Sequence, residues 1–296
     1  MKVLNIGSIN LDYVYSVDHI IQPGETQATN GRNIFLGGKG MNQSMALAKA
    51  GVEVYHAGLI GNDGYIFLDA CKKYGVNADY IKEVESPTGH AIIQVDKDGQ
   101  NSILLFGGAN EKLTESYVDE VLQNFEKEDI LLLQNEINML PYIIDKAYEK
   151  GMNIVLNPSP FNKKLETCDL TKISIFLLNE IEGKQITGAS KPEEIIVKMQ
   201  EMFPNAKVVL TLGSDGSMYL EDGQIYEQPI FEVEVVDTTA AGDTFTGYFL
   251  AGLIEKMPMP EILKMSAKAS SITVTRMGAV QAIPYRKEVM EALKED

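Results

Sequence analysis

The stretch DTTAAGDTFTGYF, from Asp237 to Phe249, places a turn of small polar residues directly before a segment of helical character, with Gly242 and Asp243 at the junction. Two interpretations fit. Asp243 could cap the helix, because a carboxylate near a helix start accepts backbone N–H bonds and complements the positive end of the helix dipole. Alternatively, the N–H groups of the first turn could bind an anion such as a phosphate. The stretch by itself leaves both open.

A second glycine-rich segment, GGKGMN from Gly37 to Asn42, does not meet the requirements of a phosphate-binding P-loop. Such a loop needs Ser or Thr directly after its GK pair, whereas Gly40 follows Lys39 here. The first strand also does not open on GxGxxG, so the sequence lacks the fingerprint of a dinucleotide-binding fold. The glycines on both sides of Lys39 leave the backbone exposed beside a helix start, which suits close approach by a polyhydroxylated ligand.

Polar or glycine residues also follow several apolar segments of strand character. In a doubly wound α/β sheet, ligands bind outside the carboxyl ends of the strands. Each of these residues taken singly could form a turn or cap a helix, but their recurrence at successive strand ends favours a shared site. They are Asn10, Asp12, Glu136, Asn179, Glu182, Thr211, Gly213 and Gly216.

Composition excludes several classes of function. A net charge of -16 disfavours nucleic-acid and acidic-membrane partners, because both would repel most of the surface. The three histidines form no HExxH or paired arrangement, so a transition-metal or Ser-His-Asp mechanism has little support. No apolar run approaches the roughly 20 residues of a membrane span, and the start MKVLNIGSI lacks the basic region of a signal peptide. We therefore expect a cytoplasmic protein.

The elements that must position these residues alternate between apolar strands and amphipathic helices. Strands are predicted at VLNIGSI, VEVYHAGLIG, EDILLLQNE, MNIVLNPSP, SIFLLNE and AKVVLTLGS, and helices at GMNQSMALAKAG, GYIFLDACKKYG, LPYIIDKAYEKG and EEIIVKMQEMF. This order is typical of a mostly parallel sheet covered by helices on both faces. Because no linker or repeat is present, residues 1–296 are predicted to form one domain.

Two regions interrupt that alternation. Residues of about 11–36 and 88–108 show the period-two pattern of antiparallel strands, and Lys97, Asp98 and Gly99 give the second region a hairpin turn. We predict that they form a small β-sheet lid inserted into the α/β domain. A further hairpin, SMYLEDGQIYEQP, is predicted to extend the edge of the main sheet.

With GSINLD, GGKGMNQ, NEIE, TLGSDG and DTTAAGDTF in this order, the chain resembles the ribokinase family of carbohydrate kinases, also called the PfkB family. PGET from Pro23 and LFGGAN from Leu105 lie where that family has similar text, and the resemblance reaches about Pro284. It implies a three-layer α/β/α sandwich with a β lid, and an ATP-dependent sugar kinase that most closely fits conversion of D-ribose to its 5-phosphate. It also implies Mg²⁺ and K⁺ as cofactors and a homodimer joined through the lid.

The resemblance further implies roles for single residues. Asp243 would be the general base that takes the proton of the sugar hydroxyl, and the N–H groups of Ala241 and Gly242 would form an anion hole for the transferring phosphoryl group. The sugar would be held by Asn10, Asp12, Gly38, Lys39, Gly40, Asn42 and Glu136. The nucleotide would lie on Asn179, Thr211, Gly213, Ser214, Gly216 and Gly242.

Metal contacts are implied in the same way. Glu182 would organise Mg²⁺ through water, and K⁺ would be held by Asp237, Thr239, Thr273, Arg276 and Gly278. Three positions depart from the family pattern. Ala282 replaces a serine that serves the monovalent ion, Ala267 replaces a polar residue that faces the adenine, and Met41 replaces a smaller residue in the GGKG loop.

Other functions remain open at this point. A kinase of the same family could act on fructose, deoxyribose or a nucleoside, although Asn10 and Asp12 beside GGKG favour a free, ribose-like sugar. A sensor without catalytic activity is the alternative from another class, and the presence of Asp243 and Gly242 disfavours it.

Overall fold

A computed structural model describes residues 1–295, whose strands form two sheets. The strands are β1 Val3–Ile6, β2 Asn10–Ser16, β3 Gly31–Gly37, β4 Val54–Ile60, β5 Asn77–Glu83, β6 Gly89–Val95, β7 Asn101–Phe106, β8 Ile130–Gln134, β9 Asn153–Asn157, β10 Ile175–Asn179, β11 Lys207–Thr211, β12 Ser217–Glu221 and β13 Gln224–Gln228. The helices are α1 Lys39–Lys49, α2 Ile66–Tyr74, α3 Glu115–Leu122, α4 Leu140–Lys150, α5 Glu180–Thr187, α6 Pro192–Met202, α7 Ala241–Ile254, α8 Met259–Val274 and α9 Arg286–Ala292. No α-helix within this range is both long and apolar enough to cross a membrane.

The main sheet has nine strands in the order β13-β12-β11-β10-β9-β8-β1-β4-β5. It is parallel from β11 to β5, and only the hairpin β12–β13 at one edge runs antiparallel. The predicted α/β class with a mostly parallel sheet is confirmed, and the hairpin does extend the sheet edge.

Each central strand is buried on both faces, which explains why it reads as a continuous apolar run. On β8, Leu131 and Leu133 enter one hydrophobic core together with α3, α4 and α6. Ile130 and Leu132 enter the opposite core, together with α1, α2 and α7. The result is the predicted three-layer α/β/α sandwich.

The small sheet has four strands in the order β3-β2-β6-β7. Pairs β2–β3 and β6–β7 are antiparallel, but the central pair β2–β6 is parallel, with Asp12 opposite Ala91. The expectation of antiparallel strands throughout is therefore wrong for this pair. Side-chain alternation has period two in either direction, so it identifies a strand without reporting its polarity.

Candidate active site

One cleft of about 610 Å³, between the small sheet and the carboxyl ends of the main-sheet strands, collects most of the residues singled out by the sequence. Of those, the residues that line it are Asn10, Asp12, Gly38, Lys39, Asn42, Glu136, Asn179, Glu182, Thr211, Thr239, Ala241, Gly242 and Asp243. They come from six separate segments of the chain. The prediction that polar strand ends meet in one place therefore follows the rule for parallel sheets.

Several predicted site residues do not line this cleft. Gly40 is buried beneath its floor, whereas Gly213 and Ser214 lie in an exposed turn that continues from Thr211, and Gly216 ends that turn. Their role as nucleotide contacts stays a prediction. The remaining ones are Asp237 in the segment before α7, Thr273 in the last turn of α8, and Arg276 and Gly278 in the turn after α8.

The start of α7 is open to the cleft. The residue before the helix, Ala240, has a left-handed backbone (φ 61°), and no described side chain caps the first turn. Outside its chain neighbours and the backbone of its own helix, a Cβ added at Gly242 would meet no atom of residues 1–295 within 4 Å. First-turn N–H groups without intrahelical partners and with open space before them form an anion-binding site.

The carboxylate of Asp243 does not cap α7. Although Asp243 is buried, its Oδ2 accepts a hydrogen bond from Asn42 Nδ2 at 3.0 Å, and its Oδ1 accepts one from Gln43 Nε2 at 2.9 Å. Of the two interpretations of the DTTAAGDTF stretch, the capping one is thereby excluded. Each carboxylate oxygen keeps a lone pair for a further donor.

A close helix contact brings these groups together. A Cβ at Gly247 would lie 2.4 Å from the Ala46 Cβ, so α7 packs directly against α1 at this glycine. Asp243 lies one turn before Gly247, and Asn42 lies one turn before Ala46, so the two side chains face each other. The absence of a side chain at Gly247 is what lets residues 201 positions apart form a hydrogen bond.

The small sheet contributes Asn10 and Asp12 to the cleft. Asn10 Oδ1 accepts a hydrogen bond from the buried Asn110 Nδ2 at 2.8 Å, which leaves the Asn10 NH₂ group as the free donor. Asp12 fits against Gly37, where a Cβ would lie 2.0 Å from its Oδ2. Burial, and secondarily the neighbouring Glu136 carboxylate, raises the pKa of Asp12 to about 7. The site thus presents one neutral donor and one carboxyl group that titrates near neutral pH.

Glu136 and Lys39 bring opposite charges to the cleft floor. Glu136 Oε2 accepts hydrogen bonds from the Ser8 hydroxyl and from the Lys39 backbone N–H. Burial raises the pKa of Glu136, partly offset by the Lys39 ammonium and these hydrogen bonds. Burial opposes the charge of Lys39, but the Asp243, Glu136 and Glu182 carboxylates outweigh it and raise the pKa of Lys39. Lys39 is therefore a fixed positive charge among three carboxylates.

The GGKG glycines serve a different purpose from the one the sequence indicated. Space beside Gly37 is filled by the Asp12 carboxylate, and a Cβ at Gly40 would lie 2.4 Å from the Ser8 backbone nitrogen. Gly38 has φ 90°, a conformation that favours glycine. The expectation that all these glycines leave room for a ligand is wrong for Gly37 and Gly40, because protein atoms occupy that room.

At the other end of the cleft, Asn179 and Glu182 begin α5. The Asn179 side chain accepts from the Ile181 and Glu182 N–H groups, and Glu182 Oε2 accepts from the Asn179 N–H at 2.9 Å, which completes a capping box. Glu182 is buried yet lines the cleft. These residues are helix caps, and their free polar atoms remain available at the cleft wall.

Asp237 ties two turns together behind the start of α7. Its Oδ1 accepts from Thr239 N at 2.9 Å and from the Thr239 hydroxyl at 2.6 Å, and its Oδ2 accepts from Gly278 N at 2.8 Å. Ala282, which follows Gly278 closely in the sequence, is buried, and its methyl side chain offers no oxygen to a cation. Of the other departures, Met41 packs in the core with its sulfur 4.0 Å from the Cys71 Sγ, so it does not point into the cleft.

Comparison with known proteins agrees with this geometry. The model of the pfkB family of carbohydrate kinases matches residues 1–286. The chain belongs to the PfkB family. Within the family, a ribokinase from Haemophilus influenzae is 36% identical over 98% of this chain and 97% of its own.

Solved structures of family members share the fold. The structure of Arabidopsis thaliana ribokinase complexed with ribose and ATP has a TM-score of 0.87 and 32% identity, covering 99% of this chain and 98% of the other. Ribokinase from Cryptococcus neoformans in complex with ADP has a TM-score of 0.86 and 32% identity, covering 98% and 99%.

Sequence reasoning missed several residues that shape this family site. Gln43, Asn110 and Ser8 each hold a residue of the cleft through a hydrogen bond, and Gly247 sets the distance between α1 and α7. Gln43 and Asn110 do stand in the motifs GGKGMNQ and LFGGAN. Their amide side chains within these motifs could have indicated a polar role. Their hydrogen-bond partners, however, lie 100 or more residues away along the chain, so the sequence did not reveal them.

Proposed function

We propose that this protein is an ATP-dependent ribokinase that converts D-ribose and ATP to D-ribose 5-phosphate and ADP. The observation that carries the proposal is the buried Asp243 carboxylate, held by two amide donors beside the uncapped start of α7 in the cleft. The match to the pfkB family and the similarity to ribokinases support the substrate class.

In the proposed reaction, Asp243 accepts the proton of the sugar 5-hydroxyl as that oxygen bonds to the γ-phosphorus and the bond from phosphorus to ADP breaks. The N–H groups of Ala241 and Gly242 stabilise the charge on the phosphoryl oxygens, since a helix start supplies preorganised positive potential. A base that takes the proton late in a loose transition state needs correct placement above all.

Sugar binding is assigned to the cleft wall that lies across from the start of α7 and includes the small sheet. Asn10 offers a donor and Asp12 and Glu136 offer acceptors, which suits a run of vicinal hydroxyls. Lys39, Asn42 and the backbone of Gly38 complete the proposed set. Gly40 is left out, because its N–H donates to Ser8 Oγ and its carbonyl accepts from Asn5 Nδ2 beneath the cleft floor. A nucleoside would carry a base on its anomeric carbon, so it needs additional space beside these groups.

ATP is proposed to lie across Asn179, Thr211 and the exposed turn of Gly213, Ser214 and Gly216, with Gly242 below its γ-phosphate. Glu182 fits a water-mediated Mg²⁺ site, because its carboxylate lines the cleft and only its Oε2 is engaged in the helix cap. When bound, Mg²⁺ would neutralise phosphate charge and keep most of its own waters.

The proposal includes K⁺ held by Asp237 and by the main-chain carbonyls of Thr239, Thr273, Arg276 and Gly278. One carboxylate with several carbonyl oxygens fits a hard monovalent cation, and Asp237 Oδ2, which accepts from Gly278 N, keeps a second lone pair. Because Ala282 supplies no hydroxyl, water would complete the site.

Potassium is expected to raise kcat, since a cation behind the start of α7 strengthens the field at the anion hole. Activity in Tris or sodium buffer with added potassium chloride measures this effect at constant ionic strength. Equal rates with and without potassium would mean that Ala282 has removed the site.

A homodimer joined through the small sheet, acting as the lid, is also proposed. Ile34, Ile92 and Leu104 on this sheet are 47%, 39% and 68% exposed, which is typical of a face covered in an assembly. Sedimentation at micromolar concentration would show twice the monomer mass, and Leu104→Glu should halve it.

A cytoplasmic location, where ATP is available, completes the proposal and is checked by cell fractionation.

Asp12 gives the proposed sugar site a pH dependence. Its pKa of about 7 means that lowering the pH through neutrality protonates it, and a protonated carboxyl loses its charged acceptor. We therefore expect kcat/KM for ribose to fall below about pH 7, with kcat/KM for ATP nearly flat. In Asp12→Asn this fall should vanish, and the ribose KM should rise roughly 10- to 100-fold.

The result that contradicts this assignment is specific. If Asp12 serves only to stabilise the small sheet, Asp12→Asn will lower the melting temperature and leave the ribose KM and the pH profile unchanged. A thermal melt beside the steady-state titrations separates these outcomes.

The function itself is tested with ATP and a panel of ribose, 2-deoxyribose, fructose and nucleosides. The proposal requires the highest kcat/KM for ribose. A clear preference for another compound would keep the kinase chemistry and replace the sugar, and no turnover of any compound by well-folded protein would reject the function.

A further inference from the structure

A continuous chain of buried amide side chains lies behind Asp243, on the side away from the cleft. Gln43 donates to Asp243, Gln134 Nε2 donates to Gln43 Oε1 at 2.7 Å and to Asn5 Oδ1 at 3.1 Å, and Asn5 Nδ2 donates to the Gly40 carbonyl at 2.7 Å. Gln43, Gln134 and Asn5 are all completely buried.

The direction of every hydrogen bond in this chain is fixed from its far end. A backbone carbonyl only accepts, so the Asn5 atom that faces Gly40 must be its NH₂ group, and Asn5 Oδ1 must then be an acceptor. Gln134 therefore directs its NH₂ group at both Asn5 and Gln43. This leaves Gln43 Oε1 as an acceptor and its NH₂ group as the donor to Asp243.

This chain of amides links three elements of the fold to Asp243. Asn5 lies on β1, Gln134 ends β8, and Gln43 lies on α1. A Cβ at Gly7 would lie 2.5 Å from Gln134 Oε1, so the backbone closes tightly over the amide and leaves it little room to turn. That Gln134 oxygen is buried without a hydrogen-bond partner among residues 1–295.

A buried amide oxygen without a hydrogen-bond partner lowers the free energy of unfolding. Gln134 is therefore less favourable for stability here than an apolar side chain would be. An apolar side chain of similar shape would avoid this loss but would release the Gln43 amide. The proposed reaction gives a reason for the amide, because a general base must be held within about 0.5 Å of its productive position.

We propose that Gln43, oriented by Gln134 and Asn5, is a positioning residue that fixes the direction of the Asp243 carboxylate. Gln43 does not line the cleft, so it acts on the reaction only through Asp243. The inference rests on the proposed function of Asp243 as the base.

The chain of amide side chains and the groups behind it also stay uncharged near neutral pH. Beyond Asn5, the Ser44 hydroxyl accepts from Asn5 Nδ2 at 2.9 Å and lies 2.8 Å from His56 Nδ1. Burial lowers the pKa of His56 to about 4, so its ring carries no charge near neutral pH. These groups therefore place no charge behind Asp243 near neutral pH.

The test uses Gln43→Met, which keeps length and removes the donor, and Gln134→Met, which releases the Gln43 amide without touching Asp243. Ser266→Ala is the matched control, because it removes a buried hydroxyl bonded to the Ile262 carbonyl, outside the chain. We expect kcat of Gln43→Met to fall roughly 10- to 100-fold with ribose KM nearly unchanged. Gln134→Met should show a smaller fall, and Ser266→Ala the wild-type kcat.

A pH profile provides a second readout that a merely structural role would not move. In Gln43→Glu, two carboxyl groups face each other and must share a proton. While it is protonated, the introduced carboxyl group can still donate to Asp243, but after it ionises it can only repel the Asp243 carboxylate. The kcat of this variant should therefore fall as the pH rises, over a range in which the wild-type kcat is constant.

Crystal structures of the wild type and Gln43→Met provide a readout that needs no turnover. We expect a rotated or split Asp243 carboxylate in the variant. The inference is overturned if that carboxylate keeps its orientation, if kcat is unchanged, or if Ser266→Ala loses as much activity. Should the wild type fail to phosphorylate ribose, the proposed function falls, while the carboxylate orientation still decides the inference.

Discussion

Asp243→Asn should reduce kcat by roughly 100-fold or more, the range expected when a general base is removed. The fold should persist, because an asparagine has nearly the same shape and retains an acceptor for Asn42 or for Gln43. The second of these donors would face the new NH₂ group, so we expect a loss of about 1 kcal/mol in the free energy of unfolding. Sugar and ATP affinity, measured by calorimetry, should change little.

Asp69→Asn is the matched control for this variant. Asp69 also stands in the first turn of a helix, α2, but is exposed and outside the cleft. Its kcat should equal that of the wild type. Near-normal turnover by a properly folded Asp243→Asn protein would remove Asp243 from the mechanism.

Gly242→Ala should leave the folded protein intact and still abolish most phosphoryl transfer. Outside its chain neighbours and the backbone of its own helix, the added methyl group meets no atom of the described residues within 4 Å, and it requires no left-handed backbone. A compatible Gly→Ala change stabilises by about 0.4–1 kcal/mol, because it restricts the unfolded chain. The open space that the methyl enters is the one proposed for the phosphoryl group, so we expect kcat to fall roughly 100-fold, as when an oxyanion-hole donor is lost.

The pairing of a higher melting temperature with lower kcat is the decisive result for Gly242. Gly31→Ala serves as control, since a Cβ there also meets open space, at the start of β3 and away from the cleft. If Gly242→Ala retains wild-type kcat, the space before α7 does not hold the transferring group.

The local patterns of the sequence were sufficient for the architecture. Apolar runs of strand length separated by helical segments led to the parallel sheet with two helical layers, because burial on both faces requires such runs. The sequence analysis did not predict elements whose hydrophobic periodicity is weak. The edge strand β5, NADYIKE, is half-buried, and the short helix α5, EIEGKQIT, contains a glycine, so neither shows clear periodicity.

For the site, the sequence by itself determined which residue types follow the strands and that a helix begins near Gly242. Only the tertiary structure decided what those residues contact. Asp243 meets Gln43 across 200 positions, Gly37 makes room for Asp12, and burial moves the pKa of Asp12 to about 7. Strand and helix patterns depend on neighbours along the chain, whereas hydrogen-bond direction, desolvation and close backbone approach depend on groups that only the packed fold brings within a few ångströms.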